Sequence, residues 1–117
     1  VTGKNTLKIQ ARLLHGEDIA MGPGKAELLL AIADTGSISA AAKKMGMSYR
    51  RAWLLVDTMN RCFRSPLVNS IAGGAQGGGA VLTEKGLTVL QHYRQLQKEL
   101  EKLAHKHLEL MASELKR

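Results

Sequence analysis

The stretch Thr35-Gly-Ser-Ile-Ser-Ala-Ala-Ala-Lys-Lys-Met-Gly-Met-Ser-Tyr-Arg-Arg-Ala-Trp53 decides how this chain folds. Gly36 and Gly46 each follow a run of helix-forming residues, and Ser37 and Ser48 stand just beyond them. Glycine closes a helix in the left-handed region, and a serine hydroxyl accepts hydrogen bonds from the free N–H groups of the next first turn. The pattern predicts a short helix over 38–45, capped by Ser37, and another from Ser48 to about Phe63, with Gly46 at the joint. Ala40 to Ala42 let the shorter helix approach its neighbours closely. Ala52, Trp53, Val56 and Met59 recur at helical spacing and form the expected inner face of the longer one.

Upstream, Lys25 to Thr35 reads as a helix with Leu28, Leu29, Ile32 and Ala33 inward. The residues before it are turn-rich and end at Gly22-Pro23-Gly24, while Leu7 to Leu13 alternates like a strand or a loose lead-in. Downstream, Pro66 stops helical continuation. Leu67-Val68 and Ala80-Val81-Leu82 are short strand candidates around Gly73 to Gly79, a hairpin with a long glycine-rich tip. From Thr83 to Arg117, Val89, Tyr93, Leu96, Leu100, Leu103, His107 and Leu110 recur at alternating spacings of four and three. That stripe extends over about three heptads and suits the pairing of two helices.

The expected fold is mainly α with a small β-hairpin wing: a winged helix-turn-helix with a long C-terminal dimerisation helix. It forms a single domain over 1–117, with helices over 24–63, the wing over 67–83 and the dimerisation helix over 84–117.

The net charge of +7 favours a polyanionic partner, because cations displace counterions condensed on phosphates. Its placement says more. Gly24 to Arg64 holds seven Lys/Arg against three acids, so four of the seven net charges lie there, and Ser65 to Thr83 holds no charged side chain. Aromatic residues are 3%, too few for stacking on single strands to be the main mode. The longest apolar run, Leu28 to Ala33, is far below the ~20 residues of a membrane span, and the first residues hold no apolar signal core. A single cysteine, Cys62, forms no internal disulfide, so a reducing cytoplasm is the expected location.

In a helix-turn-helix the second helix enters the major groove and its first residues meet base edges. Here these are Ser48, Tyr49, Arg50 and Arg51, with Leu54 at the margin. Arginine can bridge guanine O6 and N7, and hydroxyl groups bond to phosphate or bases. Ser37, Ser39, Lys43 and Lys44 are candidates for holding phosphates at the preceding helix, whose N-terminus offers free N–H groups. The bland alternative, a solvated basic face with ordinary caps, explains each residue taken alone. Gly74, Gln76, Gly77 and Gly78 are the wing candidates, where bare backbone and one amide approach the sugar-phosphate chain. A phosphate-binding loop is excluded because Ala80-Val81 follow where Lys and Ser/Thr would be required. Neither the four histidines nor Cys62 form a metal set, no nucleophile–base arrangement stands out, and no enzyme is expected. Trp53 reads as core.

Thr35-Gly-Ser-Ile-Ser39, Gly46-Met-Ser-Tyr-Arg-Arg-Ala-Trp53, Met59-Asn60 and Gly73-Gly-Ala-Gln-Gly-Gly-Gly-Ala-Val-Leu-Thr83 with Gly86 resemble the N-terminal domain of ModE-type molybdate-responsive regulators, a LysR-like winged helix-turn-helix. The resemblance covers roughly Leu7 to Leu103. It implies a homodimer on a two-fold symmetric duplex site in the bacterial cytoplasm, with Ser48, Tyr49 and Arg50 as recognition contacts and Gly73 to Gly79 as the wing. Arg51 and Leu54-Leu55 depart from the polar or small residues of that pattern. Full members sense molybdate through C-terminal modules, and this sequence ends before one begins, so no cofactor is expected. The expectation is a duplex-binding transcriptional regulator, a repressor rather than an activator, either a stand-alone paralogue or one whose signal enters through another protein. A dimeric protein-interaction scaffold, favoured by the uncharged wing, and a direct oxyanion sensor are the alternatives.

Overall fold

The computed structural model describes residues 6–74 and 77–116. Its first element is a hairpin that the sequence reading passed over as turn-rich. Strands β1 (Leu13–His15) and β2 (Asp18–Met21) pair antiparallel around Gly16, whose φ of 63° supplies the left-handed turn. Only Leu13 of the alternating Leu7–Leu13 segment is in a strand. Ala20 and Met21 are buried, and β2 packs on the third helix.

Helix α1 (Pro23–Thr35) begins with proline in its first turn, where no N–H partner is lost, and ends at Gly36, whose φ is 78°. Leu28, Leu29 and Ile32 are buried as expected, but Ala33 is exposed. Ala26 and Ala31 complete the buried set instead, because α1 is central and packs against α2, α3, β4 and α4. Helix α2 (Ile38–Met45) is capped by the Ser37 hydroxyl, which accepts from the Ala40 N–H at 3.0 Å, and is closed by Gly46 at φ 70°. Ala41 and Ala42 are buried, so α2 sits close to α1 and α3.

Helix α3 (Tyr49–Cys62) is capped by Ser48, whose hydroxyl accepts from the Arg51 N–H at 3.1 Å. Ala52, Val56 and Met59 form its buried stripe. Trp53, expected in the core, is 47% exposed. One residue is about 100° of helix rotation, which carries Trp53 off the edge of a stripe centred on those three positions. Asn60, on the last turns of α3, ties the helix to the strand that follows. Its carbonyl oxygen accepts from the Leu67 and Val68 N–H groups at 2.9 and 3.2 Å, and its amide donates to the Val68 carbonyl at 3.1 Å.

Strands β3 (Val68–Gly74) and β4 (Gly77–Leu82) form the wing. The long glycine tip expected over 73–79 is shorter: Ile71 pairs with Gly79 and Gly74 with Gly77, so most of these glycines lie in the ladder. Gly79 has a packing reason, since a Cβ there would stand 2.8 Å from the Gly36 carbonyl oxygen. That same oxygen accepts the Ala80 N–H at 2.8 Å.

Helix α4 (Glu84–Ala112) starts at Thr83, whose hydroxyl accepts from the Gly86 N–H at 2.9 Å and donates to the Pro66 carbonyl at 2.7 Å. Leu90 and Tyr93 bury its first turns against the body. At 1.5 Å per residue, its 29 residues extend about 43 Å, so the C-terminal half projects from the body and gives the protein a 59 Å long axis.

Candidate nucleic-acid interface

The capped start of α3 presents its side chains outward. Tyr49, Arg50, Arg51 and Leu54 are all exposed, and among the described residues neither arginine side chain has a hydrogen-bond or ion-pair partner. Farther along, Arg61 is committed: it binds Asp57 at 3.0 Å and lies 3.7 Å from Asp18 of β2. The free guanidinium groups therefore cluster at the N-terminal end of the helix, where unpaired backbone N–H groups add partial positive charge.

The flanks of α3 differ. On one side Lys25, in the first turn of α1, is half-buried. Burial pushes its ammonium below the usual lysine range; Cys62 and Asp18 offset this, while the nearby charge of Arg51 adds to it. The sequence reading counted Lys25 only toward net charge. The other flank carries Asn60 and its hydrogen bonds to the wing.

The remaining candidates divide. Ser37 is half-buried and spends its hydroxyl as a cap, and Ser39, two residues on, is exposed. Lys43 is exposed without a partner among the described residues, whereas Lys44 reaches Asp34 of α1 at 3.4 Å, with both groups in solvent. Such a surface pair contributes little to stability. In the wing, Gly74 and Gly77 pair across the ladder and Gly78 is exposed, while Gln76 lies outside the described residues.

The stripe on α4 also divides. Tyr93 belongs to the core of its own chain, with its hydroxyl donating to the Ala11 carbonyl at 2.8 Å. Val89 and Leu100 are half-buried, Leu96 and His107 are exposed, and Leu103 and Leu110 are 72% and 61% exposed. Ala11, Leu13, Phe63, Val89, His92 and Leu96 line an apolar groove of about 400 Å³ beside the base of this stripe. Among the described residues, no group of three or more His, Cys, Asp or Glu is placed to hold a metal ion. No described helix is long and apolar enough to cross a membrane.

Residues 24–87, from the first turn of α1 to the start of α4, match the family described as bacterial regulatory helix-turn-helix protein, lysR family. The chain belongs to the LysR family. Its curated relatives include the molybdenum-pterin-binding protein MopB of Rhodobacter capsulatus, 45% identical over 83 residues, covering 71% of this chain and 31% of that protein. The molybdenum transport protein ModE of Azotobacter vinelandii is 43% identical over 89 residues, 74% of this chain and 33% of the relative. The DNA-binding transcriptional dual regulator ModE of Escherichia coli K12 is 42% identical over 88 residues, 75% and 31% of the two chains. These relatives bear out the ModE-type resemblance read from the sequence. The LysR-family chain spans about a third of the length of the curated relatives it matches.

Among solved structures, full-length CbnR complexed with its target DNA superposes with a TM-score of 0.55 at 18% identity, over 72% of this chain and 27% of that one. A second LysR family transcriptional regulator gives 0.54 at 18% identity, over 71% and 27%. Both carry the fold, the winged helix-turn-helix expected from the sequence.

Proposed function

We propose that this LysR-family chain is a sequence-specific, double-stranded DNA-binding transcriptional regulator of the ModE-like type, acting in the cytoplasm as a homodimer and as a repressor. The observation that carries the reading is the capped N-terminus of α3, with Arg50 and Arg51 exposed and unpaired beside Tyr49. A helix that meets the major groove with its N-terminal residues requires that surface to be bare in the free protein. Arg50 and Arg51 supply base contacts, and Lys43, Lys44 and the Ser37-capped start of α2 supply phosphate contacts. The wing, with its uncharged ladder, follows the backbone of the adjacent groove through N–H groups.

The exposed part of the α4 stripe, Leu96, Leu103 and Leu110 with Val89 and Leu100, pairs two protomers. It would set two recognition helices about one duplex turn apart, roughly 34 Å. No catalysis and no bound cofactor belong to this reading. The molybdenum in the names of the relatives belongs to proteins about three times as long.

The test replaces Arg50 and Arg51 together by alanine and measures duplex binding by gel shift and assembly by sedimentation. Specific binding is lost while the dimer persists. Wild-type affinity should also fall steeply with salt, with a log–log slope of about −0.9 per phosphate neutralised. Unchanged operator affinity in the double variant, or a flat salt dependence, refutes the assignment.

A further inference from the structure

The sequence reading assigned Trp53 to the core, and the structure frees it for another task. We infer that Trp53, with Leu54 beside it, is a specificity-determining residue that reads thymine through its C5 methyl group. The inference rests on the duplex-binding reading above and gives that site a base preference.

Tyr49 and Trp53 form one i, i+4 row on α3, and Arg50 and Leu54 form the next. All four are exposed, so the N-terminal half of the helix presents an apolar strip bordered by unpaired guanidinium groups. The chain has a single tryptophan and four aromatic residues in all, and two of them stand on this strip. Among the described residues the Trp53 indole N–H has no hydrogen-bond partner, so no intramolecular hydrogen bond fixes its orientation. The helix that carries the proposed pairing face, α4, packs mainly on α1 and β4 rather than on α3.

The floor of the major groove offers one apolar group, the thymine methyl. Cytosine presents an amino donor at the corresponding edge, and both purines present polar atoms. An apolar side chain there gains from burying a methyl group and loses by desolvating an amine, which makes it selective for thymine. Arginine in the same groove prefers guanine. Trp53 stands three residues beyond Arg50, about 4.5 Å along the helix axis, against a base step of about 3.4 Å. The preferred thymine therefore lies roughly one base pair from the guanine bridged by Arg50.

The test begins with duplexes enriched by the wild-type protein from a random pool. Each thymine of the enriched site is then replaced singly by uracil, which removes the methyl group and leaves every hydrogen-bonding atom in place. Wild-type affinity should drop about fourfold at one thymine per half-site, the equivalent of one buried methylene. The same replacement should have no effect on W53A, and W53F should retain part of it. Binding of wild type that ignores every uracil, or a penalty that persists undiminished in W53A, overturns the assignment. An enriched site without thymine also overturns it while leaving the duplex-binding reading intact; failure to enrich any duplex removes both.

Discussion

Replacing Gly86 by alanine should destabilise the protein even though the change favours an isolated helix. Gly86 lies in the first turn of α4, where alanine ordinarily gains about 1 kcal/mol over glycine. Here an added Cβ would fall on the Leu67 carbonyl oxygen, with the carbonyl carbon 3.0 Å away. Neither atom belongs to a flexible side chain, so backbone must move. The start of α4 would have to lift from β3, straining the Thr83 hydroxyl bond to Pro66 at 2.7 Å and the Thr83 N–H bond to Leu67 at 2.9 Å. Overpacking costs about 1–3 kcal/mol and each lost hydrogen bond about 1 kcal/mol. The penalty therefore exceeds the propensity gain, leaving a net loss of roughly 2–4 kcal/mol and a midpoint drop on the order of 10 °C. Gly24 provides the matched control. It too is a helical glycine in the first turn, of α1, but nothing lies within 4 Å of its Cβ position. Gly24→Ala should stabilise by roughly 0.4–1 kcal/mol. Urea unfolding followed by circular dichroism, at one fixed protomer concentration, measures both. Gly86→Ala as stable as wild type would refute the packing argument.

Asn60→Ala should cost about 2–3 kcal/mol, since it removes three hydrogen bonds, among them those of the Leu67 and Val68 N–H groups; the same urea experiment checks it, and a loss below about 0.5 kcal/mol would count against this role of Asn60. Burial raises the pKa of the Tyr93 hydroxyl, with Arg12 opposing. Its folded-state stabilisation is complete below the unfolded tyrosine pKa of about 10 and is lost as pH rises through the higher folded value. Wild type should therefore lose more stability than Tyr93→Phe on alkaline titration, as read by thermal melts; parallel pH curves would show that the phenol does not contribute.

Much of this fold was legible because its boundaries are set by local chemistry. Ser37 and Ser48 cap where their hydroxyls permit, Gly36 and Gly46 close helices at positive φ, and the predicted 38–45 helix matches the observed one. What escaped depended on contacts distant in sequence. The β1–β2 hairpin has short, largely exposed strands, and its hold comes from β2 packing on α3, which alternation over Leu7–Leu13 does not reveal. Ala31 was missed because α1 is packed on several sides, which broadens the buried face beyond a single stripe, and Ala33 is exposed because it lies in the last turn of α1. Trp53 was assigned inward on hydrophobicity, although the rotation set by Ala52, Val56 and Met59 left it at the edge. On the site, exposure of Arg50 and Arg51 followed from that stripe. The engagement of Lys44 by Asp34 and the place of Tyr93 in the core of its own chain did not, because each partner lies on a different element.

The bond from the Ala80 N–H to the Gly36 carbonyl joins the wing to the turn between α1 and α2, and Asn60 joins it again to α3. These two anchors set the base of the wing at a defined distance from α3, like the hinge of a caliper. If the wing and α3 engage a duplex as proposed, one whose grooves do not match that spacing must bend or narrow to fit, and the energy of doing so depends on its base sequence. Nucleotides that no side chain touches would then enter the selection, weighted by their stiffness.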